Sequence, residues 1–132
     1  MSPAAPTRRP PLLLALQIGA TILMSLAIAQ AGLAAGFLTG TRGARVVHGI
    51  NAYLLITVTV GLLILAILYQ RSGGPRWPLL AVGIIAVVEI TQVILARTGV
   101  AGAHIFLGVL FVVMATLLTS YLFRPGFIPA SR

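Results

Sequence analysis

Arg45-Val46-Val47-His48-Gly49-Ile50-Asn51-Ala52-Tyr53 opens one long apolar run, and Gly102-Ala103-His104-Ile105-Phe106-Leu107-Gly108 opens another. The 2 histidines of the chain lie in these stretches, each within about a turn of the start of its run. A small residue follows each of them four positions on, Ala52 and Gly108, and so shares its helical face. If both runs are parallel membrane-spanning helices, the two imidazoles lie at similar depth and can face one planar ligand.

Composition fixes the surroundings of that pair. The 132 residues are 59% hydrophobic and only 8% charged, with Glu89 the single acid, which leaves nothing to build a soluble surface. Such a chain is an integral membrane protein. All 9 basic residues are arginine and the net charge is +8. With no polar domain to carry a nucleic-acid site, that charge reads as membrane topology and anion contacts. The sequence has no cysteine, which excludes disulfides, thiolate metal sites and iron–sulfur clusters.

Outward from the histidine stretches, four spans are expected. Residues 1–11 carry Pro3, Pro6, Pro10 and Pro11 around Arg8 and Arg9 and read as an extended cytoplasmic tail. The run 12–38 exceeds the about 20 residues needed to cross the hydrocarbon core. A signal peptide is the rival reading there, because Arg8-Arg9, the apolar stretch and Ala29-Gln30-Ala31 mimic its three parts; the run is longer than a signal core, and a first helix is expected instead. The second span, 46–69, is stopped by Gly73-Gly74-Pro75. The third, 77–97, admits Pro78 in its first turn, and the fourth, 100–123, follows a Thr98-Gly99 turn and ends at Arg124-Pro125-Gly126. Residues 124–132 form the second cytoplasmic tail.

The expected fold is therefore all-α, an integral membrane four-helix bundle running up-down-up-down, in a bacterial inner (cell) membrane. With both termini cytoplasmic, Arg8, Arg9, Arg71, Arg76, Arg124 and Arg132 lie inside, against Arg42, Arg45 and Arg97 outside. Tyr69, Trp77, Tyr121 and Phe123 then form an aromatic belt at the cytoplasmic ends. An internal repeat accompanies this topology. Leu26-Ala27-Ile28-Ala29-Gln30 precedes His48 as Val88-Glu89-Ile90-Thr91-Gln92 precedes His104, which makes two hairpin repeats, each with a glutamine late in its first helix and a histidine early in its second.

Two neutral imidazoles at one level are what a six-coordinate haem iron requires, each nitrogen about 2 Å from the metal. On this reading His48 and His104 are the iron ligands of one haem b per chain. Ala52 and Gly108 leave room for the macrocycle, and Gly32, Gly36 and Gly40 either line its slot or serve plain helix packing. Arg42, Arg45 and Arg97 become partners for the propionates. The competing reading makes both histidines interfacial residues that tolerate polarity near helix starts. Glu89, an ionisable group within a span, is a candidate proton or quinone contact together with Gln92, or else hydrogen-bonding glue between helices like Gln30. Asn51 is expected to bond a neighbouring helix or a water beside the haem.

Four spans with histidines early in the second and fourth resemble one half of haem A synthase, whose two four-helix halves each hold a histidine pair. Gln30-Ala31-Gly32 followed by His48 also resembles a family of small four-span bacterial membrane proteins of unknown function. The synthase resemblance implies haem ligation by His48 and His104. It places a glutamate three residues before a histidine of its catalytic half, where this chain has Arg45, so enzymatic oxidation of a haem methyl is not implied. The expected function is that of a small cytochrome b-like electron carrier, holding its haem near the outer face, alone or in a redox complex. The alternative from another class is a cofactor-free accessory subunit of a respiratory or photosynthetic complex. Expected partners are the lipid bilayer, quinone, and either a second copy or a larger redox assembly, with no nucleic acid.

Overall fold

Glycine decides where the first three helices stop. A computed structural model of the chain describes residues 10–124, in the order α1 (Pro11–Leu38), α2 (Ala44–Arg71), α3 (Trp77–Thr98) and α4 (Ala101–Leu122). The tails expected at 1–11 and 124–132 lie outside the described residues apart from 10, 11 and 124. At the end of α1, Gly40 adopts φ +80°, and the amides of Gly40 and Thr41 bond back to Phe37 and Gly36. The end of α2 repeats this closure, with Gly73 at φ +92° and the amides of Gly73 and Gly74 bonding to Gln70 and Tyr69. Both are double-bonded left-handed caps, which satisfy carbonyls that a helix end leaves orphaned. Gly99, at φ +76°, turns α3 into α4, and the Val100 amide closes on the Leu95 carbonyl.

These caps also account for where the helices differ from the spans expected. Gly43, left-handed at φ +79°, lets its carbonyl accept from Val46 and Val47, so α2 starts at Ala44. It continues to Arg71 because the chain breaks its hydrogen-bond ladder only at Gly73. All four helices are long and apolar enough to cross a membrane. Their outward faces carry Ile18, Leu54, Ile64, Leu80, Val87 and Ile90, each about half exposed or more, which is lipid-facing surface.

The helices form a ring in which α1 packs on α2 and α4, and α3 packs on the same two. The parallel helices α2 and α4 therefore stand on a diagonal. Packing is uneven along the bundle. At the end where α1 begins, Leu13, Leu16, Leu23, Leu62, Val82, Ile85 and Leu122 are fully buried. Polar side chains reinforce that end: Gln17 donates to the Leu122 carbonyl at 2.8 Å, and Thr119 donates to the Ala20 carbonyl at 3.0 Å. The core fades towards the opposite end, where the last buried residues of α1, α3 and α4 are Ala27, Glu89 and Phe111.

The turns give a direct test of this description. A Gly99→Val substitution forces a β-branched residue into a left-handed backbone and should cost about 1–3 kcal/mol of stability. Gly83 is helical with nothing within 4 Å of a built Cβ, so Gly83→Ala should leave stability unchanged or slightly raised. Reversible unfolding in mixed micelles measures both.

Candidate ligand cavity between two histidines

Where the core fades, the side chains are small. Ala27, Ala31, Ala34 and Ala35 of α1, Gly49 and Ala52 of α2, Ala96 of α3 and Gly108 of α4 border a cavity of about 700 Å³. That volume lies in the usual range of ligand pockets, roughly 300–1,000 Å³. It is open at its rim, where Tyr53, Ile105 and Val109 are exposed, so a ligand or a lipid chain has a way in. A second hollow of about 500 Å³, near Trp77 and Met114, has an almost wholly apolar wall. The larger cavity differs by its convergent polar groups: Gln30, His48, Glu89, Gln92, Arg97 and His104.

The two imidazoles meet across the diagonal. His48 of α2 and His104 of α4 stand with ring centroids 6.3 Å apart and planes inclined at 69°. Two imidazole nitrogens at about 2 Å from one metal, plus roughly 1 Å from each nitrogen to its ring centre, give a centroid separation of about 6 Å. Sharing also requires one nitrogen of each ring to point at the common centre, and His48 Nε2 is turned towards Gln30 instead. Among the described residues no group of three or more His, Cys, Asp or Glu gathers to form a metal site. A porphyrin supplies four of the six ligands itself and asks the protein for two.

Both histidines are held by the glutamine of their own hairpin. Gln30 Nε2 donates to the His48 carbonyl at 3.1 Å, and Gln92 Nε2 donates to the His104 carbonyl at 3.0 Å. The two halves thus use one device, in which the late glutamine of the first helix clamps the backbone of the early histidine in the second. Gly108 makes the clamp possible in the second hairpin, because a Cβ there would stand 3.3 Å from Gln92 Nε2. The rings themselves are treated differently. His104 Nδ1 lies 3.1 Å from the Gln92 backbone carbonyl, which accepts only, so Nδ1 carries a proton and the neutral ring has its lone pair on Nε2. This is the arrangement usual for a metal-bound histidine, whose other nitrogen donates to a carbonyl or carboxylate. His48 Nε2 instead faces Gln30 Nε2 at 3.2 Å, and its Nδ1 is buried with no partner among the described residues. Gln92 Oε1 is the other orphan beside the cavity.

The residues singled out in the sequence separate into two groups. His48, His104, Ala52, Gly108 and Arg97 all border the cavity, as do Glu89 and Gln92. Gly36 does not: it stands beside Ala44 and Thr41 at the α1–α2 turn, where a Cβ would make ordinary contacts at 3.5 and 3.7 Å, and Gly40 is the left-handed residue of that turn. The slot is made of alanines instead. Arg42 and Arg45 likewise do not border it; Arg42 is exposed on the turn, and the Arg45 guanidinium lies 5.8 Å above the Phe37 ring. Glu89 closes the inner end of the cavity, accepting from the Thr59 hydroxyl at 2.9 Å across α2 and α3.

Asn51 adds a contact between α1 and α2. Its Nδ2 donates to the Leu26 carbonyl at 3.0 Å and to Gln30 Oε1 at 2.7 Å, which fixes the Gln30 amide with its N–H side towards His48. Comparison with protein-family models, curated proteins and solved structures returns no match. The class stated by the fold is that of a multi-pass membrane four-helix bundle.

Removing one partner of the buried Thr59–Glu89 pair should be costly. Thr59→Val leaves a buried carboxyl oxygen without its donor and should lose about 1–3 kcal/mol. The double variant Thr59→Val/Glu89→Met, with both partners apolar, should recover most of that loss. Denaturation of the parent protein, both single variants and the double variant in micelles measures the coupling; additive losses would contradict the bond.

Proposed function

We propose that this protein is a small membrane cytochrome b-like electron carrier, whose His48 and His104 hold one haem b in the cavity at their end of the bundle. The observation that carries this reading is the imidazole pair, 6.3 Å apart on diagonal parallel helices and facing a cavity of about 700 Å³. The resemblance to one half of haem A synthase points the same way. When bound, the haem supplies an iron centre that cycles between ferric and ferrous states. The protein's own part is to position and to insulate. The two Gln–carbonyl clamps fix the histidine backbones, and Gln92's own carbonyl sets the His104 tautomer. Alanine and glycine give the flat ligand room, and the apolar walls Leu55, Phe111 and Val112 keep water from it. Arg97, at the mouth, is the cation for a propionate.

This reading also assigns sides. The histidine end is the outer one, with both termini in the cytoplasm, because the arginine excess lies at the other end and in the tails. Glu89 and Gln92 are the side chains a quinone headgroup or a transferred proton would meet.

Absorption spectra of the detergent-purified protein, oxidised and dithionite-reduced, test the function. The expected result is a sharp reduced α-band of the low-spin b type at about one haem per chain, with the low-spin spectrum lost in both His48→Ala and His104→Ala. A colourless protein from haem-replete cells overturns the proposal and leaves an accessory subunit of a larger membrane complex. The sidedness has its own measurement. A cysteine at Thr41 should react with an impermeant thiol reagent in intact cells, whereas one at Ser72 should not; reversed labelling would invert the orientation.

A further inference from the structure

The repeat makes the two halves alike in backbone, yet it leaves their imidazoles in different company. We infer that the two histidines are unequal iron ligands, with His104 the fixed anchor and His48 the exchangeable one, so that a small neutral ligand such as carbon monoxide enters on the His48 side. The inference rests on the haem reading above and deepens it.

Three observations carry it. His104 is preset for a metal, because the Gln92 backbone carbonyl takes its Nδ1 proton at 3.1 Å and no hydrogen bond among the described residues engages its Nε2. That carbonyl belongs to the main chain of α3, so the anchor does not depend on any one side chain. For His48, the Gln30 amide N–H points at Nε2 from 3.2 Å and competes for the lone pair that iron would use. Asn51 holds Gln30 in that orientation by a 2.7 Å bond to its Oε1, so the amide cannot flip to present an acceptor without breaking that bond. Finally, His48 Nδ1 lacks the carbonyl or carboxylate that commonly strengthens a metal-bound imidazole.

The exchange is a substitution of one lone-pair donor for another and moves no electrons. As the imidazole leaves, its Nε2 lone pair accepts again from the Gln30 N–H, so Gln30 stabilises the released form of His48. Gln30 and Asn51 are thus positioning residues for the ligand equilibrium. A Gln30→Met substitution keeps the side-chain volume and removes the N–H facing His48 Nε2 together with the clamp on the His48 carbonyl, and the ring effect is the larger because the carbonyl stays bonded within α2. It should tighten His48 ligation and slow carbon monoxide entry about 5-fold, the factor that one neutral hydrogen bond is worth.

The test has two readouts. On the haem-free protein labelled with 15N-histidine, long-range proton–nitrogen spectra in micelles should show both rings protonated at Nδ1. The His48 Nε2 resonance should lie at lower frequency than that of His104 and move towards it in Gln30→Met. Equal Nε2 shifts that ignore the substitution overturn the inference even if the protein proves to hold haem. On the haem-loaded protein, His48→Ala should keep its haem in a high-spin form with affinity within about 3-fold, whereas His104→Ala should lose at least about 30-fold. Equal losses in the two variants overturn the inference and leave the haem reading standing. Haem binding by none of the proteins overturns both.

Discussion

The four helices are clamped at one end by large interdigitating side chains, and everything distinctive about the other end follows from that clamp. Leu13, Leu16, Leu23, Leu62, Ile85 and Leu122 fill the space between the helices, and the Gln17 and Thr119 bonds to the main chain tie α1 to α4. Held there, the helices cannot collapse onto the alanines and glycines at the far end. The cavity is the geometric remainder. Lipid provides no hydrophobic drive between helices, so the polar side chains bordering that space have to find partners inside the bundle. They do so as a sequence of fixed contacts: Asn51 to Gln30, Gln30 to His48, Gln92 to His104, and Thr59 to Glu89.

Much of this was written plainly in the sequence. Apolar length gave the four helices, and the repeated order of glutamine, turn and histidine, Gln30 before His48 and Gln92 before His104, anticipated two hairpins whose histidines face each other. The cavity was legible in part. Ala52 and Gly108 border it as their four-residue offset from the histidines implies. The glycine pattern misled, because equal spacing along α1 does not say what each glycine is for. Gly40 is spent on a left-handed cap and Gly36 lies beside Ala44 at the turn, while alanines, which carry no such signal, make the slot. Of the three arginines expected at the site, Arg42 and Arg45 do not border the cavity, because charge count locates a side of the membrane but not a site. Arg97 reaches the cavity from the last turn of α3, whereas Arg45 lies over Phe37.

What spacing could not convey is the difference between the two imidazoles. The repeat equates His48 with His104 and Gln30 with Gln92, and the main-chain contacts honour that equation. The ring contacts do not, because Asn51 has no counterpart in the second hairpin; between His48 and Ala52 stands Gly49-Ile50-Asn51, but between His104 and Gly108 stands Ile105-Phe106-Leu107. One amide therefore separates an imidazole poised for a metal from one already engaged. A near-symmetric scaffold thereby presents two imidazoles in unequal hydrogen-bonding surroundings.

The most direct measurement of the central claim is pulsed electron paramagnetic resonance on the oxidised, purified protein carrying 15N-labelled histidine. The account predicts a low-spin ferric signal with nitrogen couplings from two histidine rings, one from His48 and one from His104. A ferric signal coupled to a single ring, or no iron signal at all, would contradict it.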